Sequence, residues 1–187
     1  GVWAALLVVD ADHDVTSLAI LPDGRVVSGS EDETVQVWNV DSGVCEKVLE
    51  GHTGSVSSLA ILPDGRIVSG SGDKTVRVWN VDSGVCEKVL EGHTSYVSSV
   101  AILPDGRIVS GSYDKTVRVW NVDSGVCEKV LEGHTGTVTS LAILPDGRIV
   151  SGSGDKTVRV WNVDSGVCEK VLEGHTDYVS SLTILPD

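Results

Sequence analysis

His52, Ser69 and Asp73 recur as His93, Ser110 and Asp114 and again as His134, Ser151 and Asp155, always at the same intervals. A serine, an imidazole and a carboxylate are the parts of acyl-transfer chemistry, in which the imidazole takes the hydroxyl proton and the carboxylate orients the imidazole. Such chemistry needs an accessible nucleophile and donors for an oxyanion. Each set is also followed by a tryptophan, Trp79, Trp120 or Trp161. A buried indole N–H and a buried imidazole both require partners, so the same residues suit a satisfied hydrogen-bond chain that fixes one loop geometry. Three equal copies favour the structural role. The expectation is a protein with no catalytic residue, no cofactor and no bound metal.

The spacing is constant because the surrounding sequence repeats. The string GHTxxVxSxAILPDGRIVSGSxDKTVRVWNVDSGVCEKVLE runs end to end at 51–91, 92–132 and 133–173, a period of 41 residues. A fixed period of this length marks an array in which each unit buries its apolar face against its neighbours. The core material is aliphatic and β-branched, with no Phe and no Met in a chain that is 41% hydrophobic, a composition suited to strands.

Within a unit, 56–62, 66–71, 75–79 and 85–90 are short apolar or alternating runs, each read as a strand. Pro63-Asp64-Gly65 separates the first two and Asp82-Ser83-Gly84 the last two, both with the chemistry of tight turns. Strands joined so closely run antiparallel, giving a four-stranded meander per unit. Its exposed apolar face is removed by packing several such sheets radially, so the predicted fold class is an all-β propeller. The blades fall at 15–49, 56–90, 97–131 and 138–172.

The Gly51-His52 pair, the Ser71-Gly72-Asp73 turn and the Trp79-Asn80 dipeptide, repeated in order through the chain, resemble the WD40 repeat family. Asn39, Asn80, Asn121 and Asn162 stand where the name-giving Asp of that family usually sits. The resemblance implies that Asp, His, Ser and Trp form a buried chain bracing the loop before the first strand, with Ser71 as the neighbouring alternative for the hydroxyl. It also implies an outer strand at 3–9 and an inner strand at 179–184, a half-blade lacking its two middle strands and making about 4.5 blades. No Met begins the chain. The expectation is a piece of a longer array, or copies that complete one another. Ala11 replaces the histidine of the first unit, which predicts a looser first blade, and His175 should lack its usual partners.

The formal charge is −13, and residues 1–50 carry ten acids against Arg25 and Lys47 while each following unit nets −1. This balance argues against a nucleic-acid partner, whose phosphates demand clustered Lys and Arg. No apolar run is long enough to span a membrane as a helix, and 1–9 lacks the marks of a secretory signal. Cys45, Cys86, Cys127 and Cys168 occupy one point of successive units, too far apart for disulfides, and are expected to be free thiols in a reducing, intracellular and specifically cytoplasmic setting. The run Asp10-Ala11-Asp12-His13-Asp14 places carboxylates at alternate positions but lacks the Gly turn and distal Glu of a calcium loop, so it reads as a solvated acidic loop.

Differences among the units fall at one end of the blades, where the loop before the first strand and the turn between the second and third emerge together. Glu31, Tyr96, Tyr113, Asp177 and Tyr178 are the candidate partner-binding residues there. Tyr offers a rigid apolar plane with a polar tip, a type enriched at interfaces, although tolerant loops also vary without function. Two functions follow. One is a non-enzymatic scaffold for a protein or peptide, of basic character given the acidic loops. The other is a self-assembling repeat fragment, natural or consensus-like, whose chains combine as a homo-oligomer into a larger ring.

Overall fold

The computed structural model describes residues 14–186. The outer strand expected at 3–9, Ala11 and most of the acidic run at 10–14 lie outside them.

Among the described residues, sixteen strands form four sheets of four. Blade one holds β1 (Val15–Ile20), β2 (Val26–Ser30), β3 (Val35–Trp38) and β4 (Cys45–Leu49). Blade two holds β5 (Val56–Ile61), β6 (Ile67–Ser71), β7 (Val76–Trp79) and β8 (Cys86–Leu90). Blade three holds β9 (Val97–Ile102), β10 (Ile108–Ser112), β11 (Val117–Trp120) and β12 (Cys127–Leu131), and blade four holds β13 (Val138–Ile143), β14 (Ile149–Ser153), β15 (Val158–Trp161) and β16 (Cys168–Leu172). All pairings are antiparallel between sequential strands, as connections this short require.

The turns explain the meander. In the Pro-Asp-Gly turn of blade two, Gly65 N donates to Leu62 O at 2.9 Å, and Asp64 accepts from the Arg66 backbone N–H at 3.1 Å and from its Nε at 2.9 Å. In the outer turn, Asn80 Oδ1 accepts from Ser83 N at 3.0 Å. A side-chain carbonyl suffices there, so Asn in place of Asp leaves the turn intact.

The cores lie between blades. Leu21, Val27, Val35, Val37 and Leu49 of blade one pack against Val56, Ile67, Trp79 and Val81 of blade two, and the next two seams repeat the arrangement. The first strands β1, β5, β9 and β13 lie beside one another. Close approach at each seam depends on the glycine of the second strand. A Cβ on Gly29 would stand 2.6 Å from Val56 Cγ1, on Gly70 2.8 Å from Val97 Cγ1, and on Gly111 2.7 Å from Val138 Cγ1.

Residues 179–184 form no strand, unlike the inner strand expected there. Val179 N donates to Ser153 O of β14 at 3.1 Å, but a strand requires a continued ladder along its edge, and none forms among the described residues. It still packs on blade four, where Val179 is buried and Leu182 touches the cluster of Val150, Val158 and Val160. No helix is present among the described residues.

Candidate functional site

Each histidine arrives on the loop before a first strand, each serine on a second strand, each aspartate in the following turn and each tryptophan on the third strand. In blade two, Trp79 Nε1 donates to Ser69 Oγ at 2.8 Å. Ser69 Oγ lies 2.6 Å from His52 Nε2, and His52 Nδ1 lies 2.8 Å from Asp73 Oδ2. Blade three joins Trp120, Ser110, His93 and Asp114 at 2.8, 2.7 and 2.8 Å. Blade four joins Trp161, Ser151, His134 and Asp155 at the same three distances. Ser71 stands outside this chain. Its hydroxyl donates to Gly54 O at 2.9 Å and accepts from Asp73 N at 3.1 Å, holding the loop and turn together.

Burial pushes the imidazoles of His52, His93 and His134 below the ordinary histidine value, against the opposing pull of their aspartates. Burial also works to raise the Asp73 carboxyl, but hydrogen bonds from the Thr75 side chain, His52 and the Thr53 amide outweigh it and hold Asp73 at about 2. Asp114 is likewise lowered to about 2, where burial is outweighed by Thr116 and His93. Asp155 falls below the usual carboxylate range by the same balance. A neutral imidazole beside an ionised carboxylate donates from Nδ1 and accepts at Nε2. The proton order is therefore indole to hydroxyl, hydroxyl to imidazole, imidazole to carboxylate.

That order is also the order of a hydrolytic triad, and the difference is access. Ser69, Ser110 and Ser151 are fully buried. Each Oγ already accepts from an indole, so nothing approaches it as a nucleophile must. In blade one Trp38 Nε1 donates to Ser28 Oγ at 2.8 Å, and Asp32 Oδ1 accepts from Thr34 N and Oγ1 at 3.0 and 2.6 Å. His175 is exposed.

Three candidate partner residues gather at the loop end of blades three and four. The Tyr96 and Tyr113 rings stack with centroids 5.7 Å apart and planes 26° from parallel. Tyr96 lies across Gly72, where an added Cβ would be 2.5 Å from its Cε1. Tyr178 lies over Gly154, with Cδ1 at 3.3 Å from the equivalent point. Tyr113 and Tyr178 line one cavity of about 570 Å³ together with Gly136, Thr137, Gly154 and Ser180. Asp177 is exposed next to Tyr178, and its Oδ1 accepts from the Tyr178 amide at 2.8 Å. Glu31 is exposed on blade one and does not line this cavity.

The WD40 profile, described as WD domain, G-beta repeat, matches residues 6–39, 43–80, 84–121 and 125–162. The chain belongs to the WD40 family. F-box/WD repeat-containing protein 7 of Drosophila melanogaster is 47% identical over 45 residues, 24% of this chain and 3% of that protein. Mitochondrial division protein 1 of Sclerotinia sclerotiorum is 48% identical over 46 residues, 24% of this chain and 7% of that protein. WD repeat-containing protein 86 of Homo sapiens is 54% identical over 33 residues, 18% of this chain and 9% of that protein. This chain thus matches less than a tenth of each relative's length, about one repeat.

One functional element of these WD40 blades was not singled out in the sequence. A β-bulge at the second residue of each first strand turns its hydroxyl toward the next blade. Ser98 Oγ reaches Gly111 O at 3.1 Å in its own blade and Val138 O at 2.6 Å in the next. Thr16, Ser57 and Thr139 make the same two contacts, to Gly29 and Val56, Gly70 and Val97, and Gly152 and Val179. The signal was present as Ser57/Thr139, one of only two differences between units two and four, and it exchanges one hydroxyl for another.

At the opposite end, grooves of about 270, 230 and 260 Å³ occur at successive seams. The first sets Asp23 and Arg25 of blade one against Asp64, Arg66 and Asp82 of blade two. The same residue types recur at the other two, so these grooves belong to the repeat rather than to a specialised site. All four cysteines are free, and no group of three or more metal-ligating side chains exists among the described residues.

Proposed function

We propose that this WD40 array is a non-enzymatic interaction module that takes a peptide or protein segment in the cleft between Tyr113 and Tyr178. The observation that carries this reading is that two of the three tyrosines of the chain, Tyr113 and Tyr178, line one cavity, with the third, Tyr96, stacked on Tyr113 as a brace. Two aromatic walls bury apolar side chains at low entropic cost. Gly136 and Gly154 present main chain without side chains, and Thr137 and Ser180 add hydroxyls, so peptide groups of an extended ligand find hydrogen-bond partners. Asp177 at the rim and the formal charge of −13 favour a segment carrying Lys or Arg. The four free thiols suit a reducing intracellular compartment.

The test is selection of peptides of about ten residues from a displayed library, followed by titration of the winners against variants. Tyr113→Ala is expected to weaken them by at least about 30-fold, the scale of an aromatic hot spot. Glu31→Ala should leave them within about twofold. Winners whose affinity is the same for Tyr113→Ala and Tyr178→Ala as for the parent protein would place the binding surface elsewhere.

A further inference from the structure

The outward faces of blades one and four differ from their internal copies. Val15, at the start of β1, is 46% exposed, whereas Val56, Val97 and Val138 at the same position are 0% exposed. Leu18 and Ile20 on that face are 66% and 61% exposed. At the other end of the array Leu172 is 51% exposed, against 1%, 1% and 2% for Leu49, Leu90 and Leu131.

Every internal seam joins the same two surfaces, the one containing Leu49 on one blade and the one containing Val56 on the next. Among the described residues, no blade covers the surface of the second kind on blade one or the surface of the first kind on blade four. The molecule therefore carries both halves of an interface that it already makes three times with nearly identical residues.

Part of the blade-four surface is covered by a strap, residues 174–186. Val179 sits where the first valine of a further blade would sit. Its Cγ1 is 2.7 Å from the point that a Cβ on Gly152 would occupy, against 2.8 Å for Val97 and Gly70. Thr139 donates its hydroxyl to the Val179 carbonyl as Ser57 does to that of Val97. The strap mimics one strand of a blade, held to β14 by the bond from Val179 N to Ser153 O at 3.1 Å, and leaves Leu172 open.

We propose that the open face of blade one is a self-association site, and that its occupant is blade four of a second copy of this chain with the strap swung aside. The second copy's β1 then replaces the strap, with Val15 in the place of Val179 and its carbonyl accepting from Thr139. A complete blade covers Leu172 and brings an ordered four-stranded edge, so it buries more apolar surface than the strap does. The described blades of two copies number eight, within the span of known propellers, and a ring of two closes both of these seams at once. Each copy carries a formal charge of −13, so added salt strengthens the association by screening.

Sedimentation velocity of the full chain from about 1 to about 200 µM reads the outcome. The expected result is a concentration-dependent shift from 19.6 kDa toward twice that mass, stronger at higher salt. Leu18→Asp and Leu172→Asp change exposed residues and leave the fold intact, as tryptophan fluorescence checks. Each alone weakens the association by at least about 30-fold, because a carboxylate is buried without a partner. Mixed together they form a one-to-one complex through the one intact pair of surfaces. Val179→Asp unseats the strap and tightens the association at least about threefold. A single 19.6 kDa species throughout the range overturns the proposal. So does association that Leu172→Asp leaves unchanged, which would be blade one against blade one, and weaker association in Val179→Asp removes strap displacement from it.

Discussion

Gly70→Ala tests whether the glycine of each second strand sets the blade spacing. The new Cβ would lie 2.8 Å from Val97 Cγ1 and 3.0 Å from Val100 Cγ1, where ordinary carbon contacts are about 3.5 to 4.0 Å. Val97 cannot retreat, because β9 is paired to β10 and Ser57 holds its carbonyl. The strain of such overpacking is about 1–3 kcal/mol. For a chain of this size, each kcal/mol lowers the unfolding midpoint by roughly 2–4 °C. Urea and thermal unfolding followed by tryptophan fluorescence measure both. Val97→Ala removes the opposing methyls, so the double variant should be less destabilised than the sum of the singles by at least about 1 kcal/mol. Gly152→Ala gives the contrast, where the new Cβ would meet Val179 Cγ1 of the strap at 2.7 Å and Ser140 Oγ, the tip of a side chain that can rotate, at 2.6 Å. The strap belongs to no sheet, so its bonds from Val179 N to Ser153 O and from Thr139 Oγ1 to Val179 O can break without opening a strand ladder, and the cost should be smaller than at Gly70. Equal costs at Gly70 and Gly152, or strict additivity with Val97→Ala, would refute the reasoning.

Ser69→Ala strands the Trp79 indole N–H and His52 Nε2 in a buried site and should destabilise by about 2–4 kcal/mol, two lost partners at roughly 1–2 kcal/mol each, read by urea unfolding. A serine-directed fluorophosphonate should label none of Ser69, Ser110 and Ser151, as intact-mass spectrometry would show, because all three are fully buried. Acid should act in two stages. The folded imidazoles of His52, His93 and His134 are lowered, so the native state binds fewer protons than the unfolded chain and stability falls as pH drops below about 6.5. Asp73 and Asp114, held at about 2, contribute stability above the unfolded carboxyl value that is lost between roughly pH 4 and 2; unfolding midpoints that do not change from pH 7 to 5 would contradict the first stage. Ser57→Thr should be neutral within about 0.5 kcal/mol and Ser57→Ala should cost about 1 kcal/mol, since only the second loses the hydroxyl shared with Gly70 and Val97.

The strands and turns were legible because each carries its cause in its own sequence. The alternation in 56–61 and the Pro-Asp-Gly turn are local, and the repeat states them several times. The tetrad was legible as a set of types, since buried indoles and imidazoles have few ways to be satisfied, but the choice of Ser69 over Ser71 was not. Both serines lie in β6, and only the backbone places Ser69 under the Trp79 indole while Ser71 faces the turn. The inter-blade hydroxyl was hidden for another reason. Its partner lies 40 residues away in a different sheet, and the bulge that aims it has no residue signature. The inner strand expected at 179–184 fails on the same ground, because a strand is a property of two chain segments and the sequence of one cannot supply the other.

The strap ties the two proposals together in opposition. Tyr178 forms one wall of the cleft, and the next residue, Val179, is the strap's anchor on Gly152. A second copy that takes the place of the strap carries Tyr178 away and brings its own Asp14 to that position, since Asp14 and Tyr178 occupy equivalent points of the repeat. A ligand held between Tyr113 and Tyr178 therefore stabilises the strap on blade four and disfavours assembly. By thermodynamic reciprocity assembly must lower affinity for that ligand by the same factor. The perturbations separate accordingly. Val179→Asp should weaken peptide binding while tightening self-association, whereas Tyr113→Ala, on blade three and away from the exchanged surface, should weaken peptide binding and leave the mass distribution unchanged. If both substitutions moved binding and association in the same direction, the cleft and the open seam would not share the strap, and each would have to stand on its own contacts.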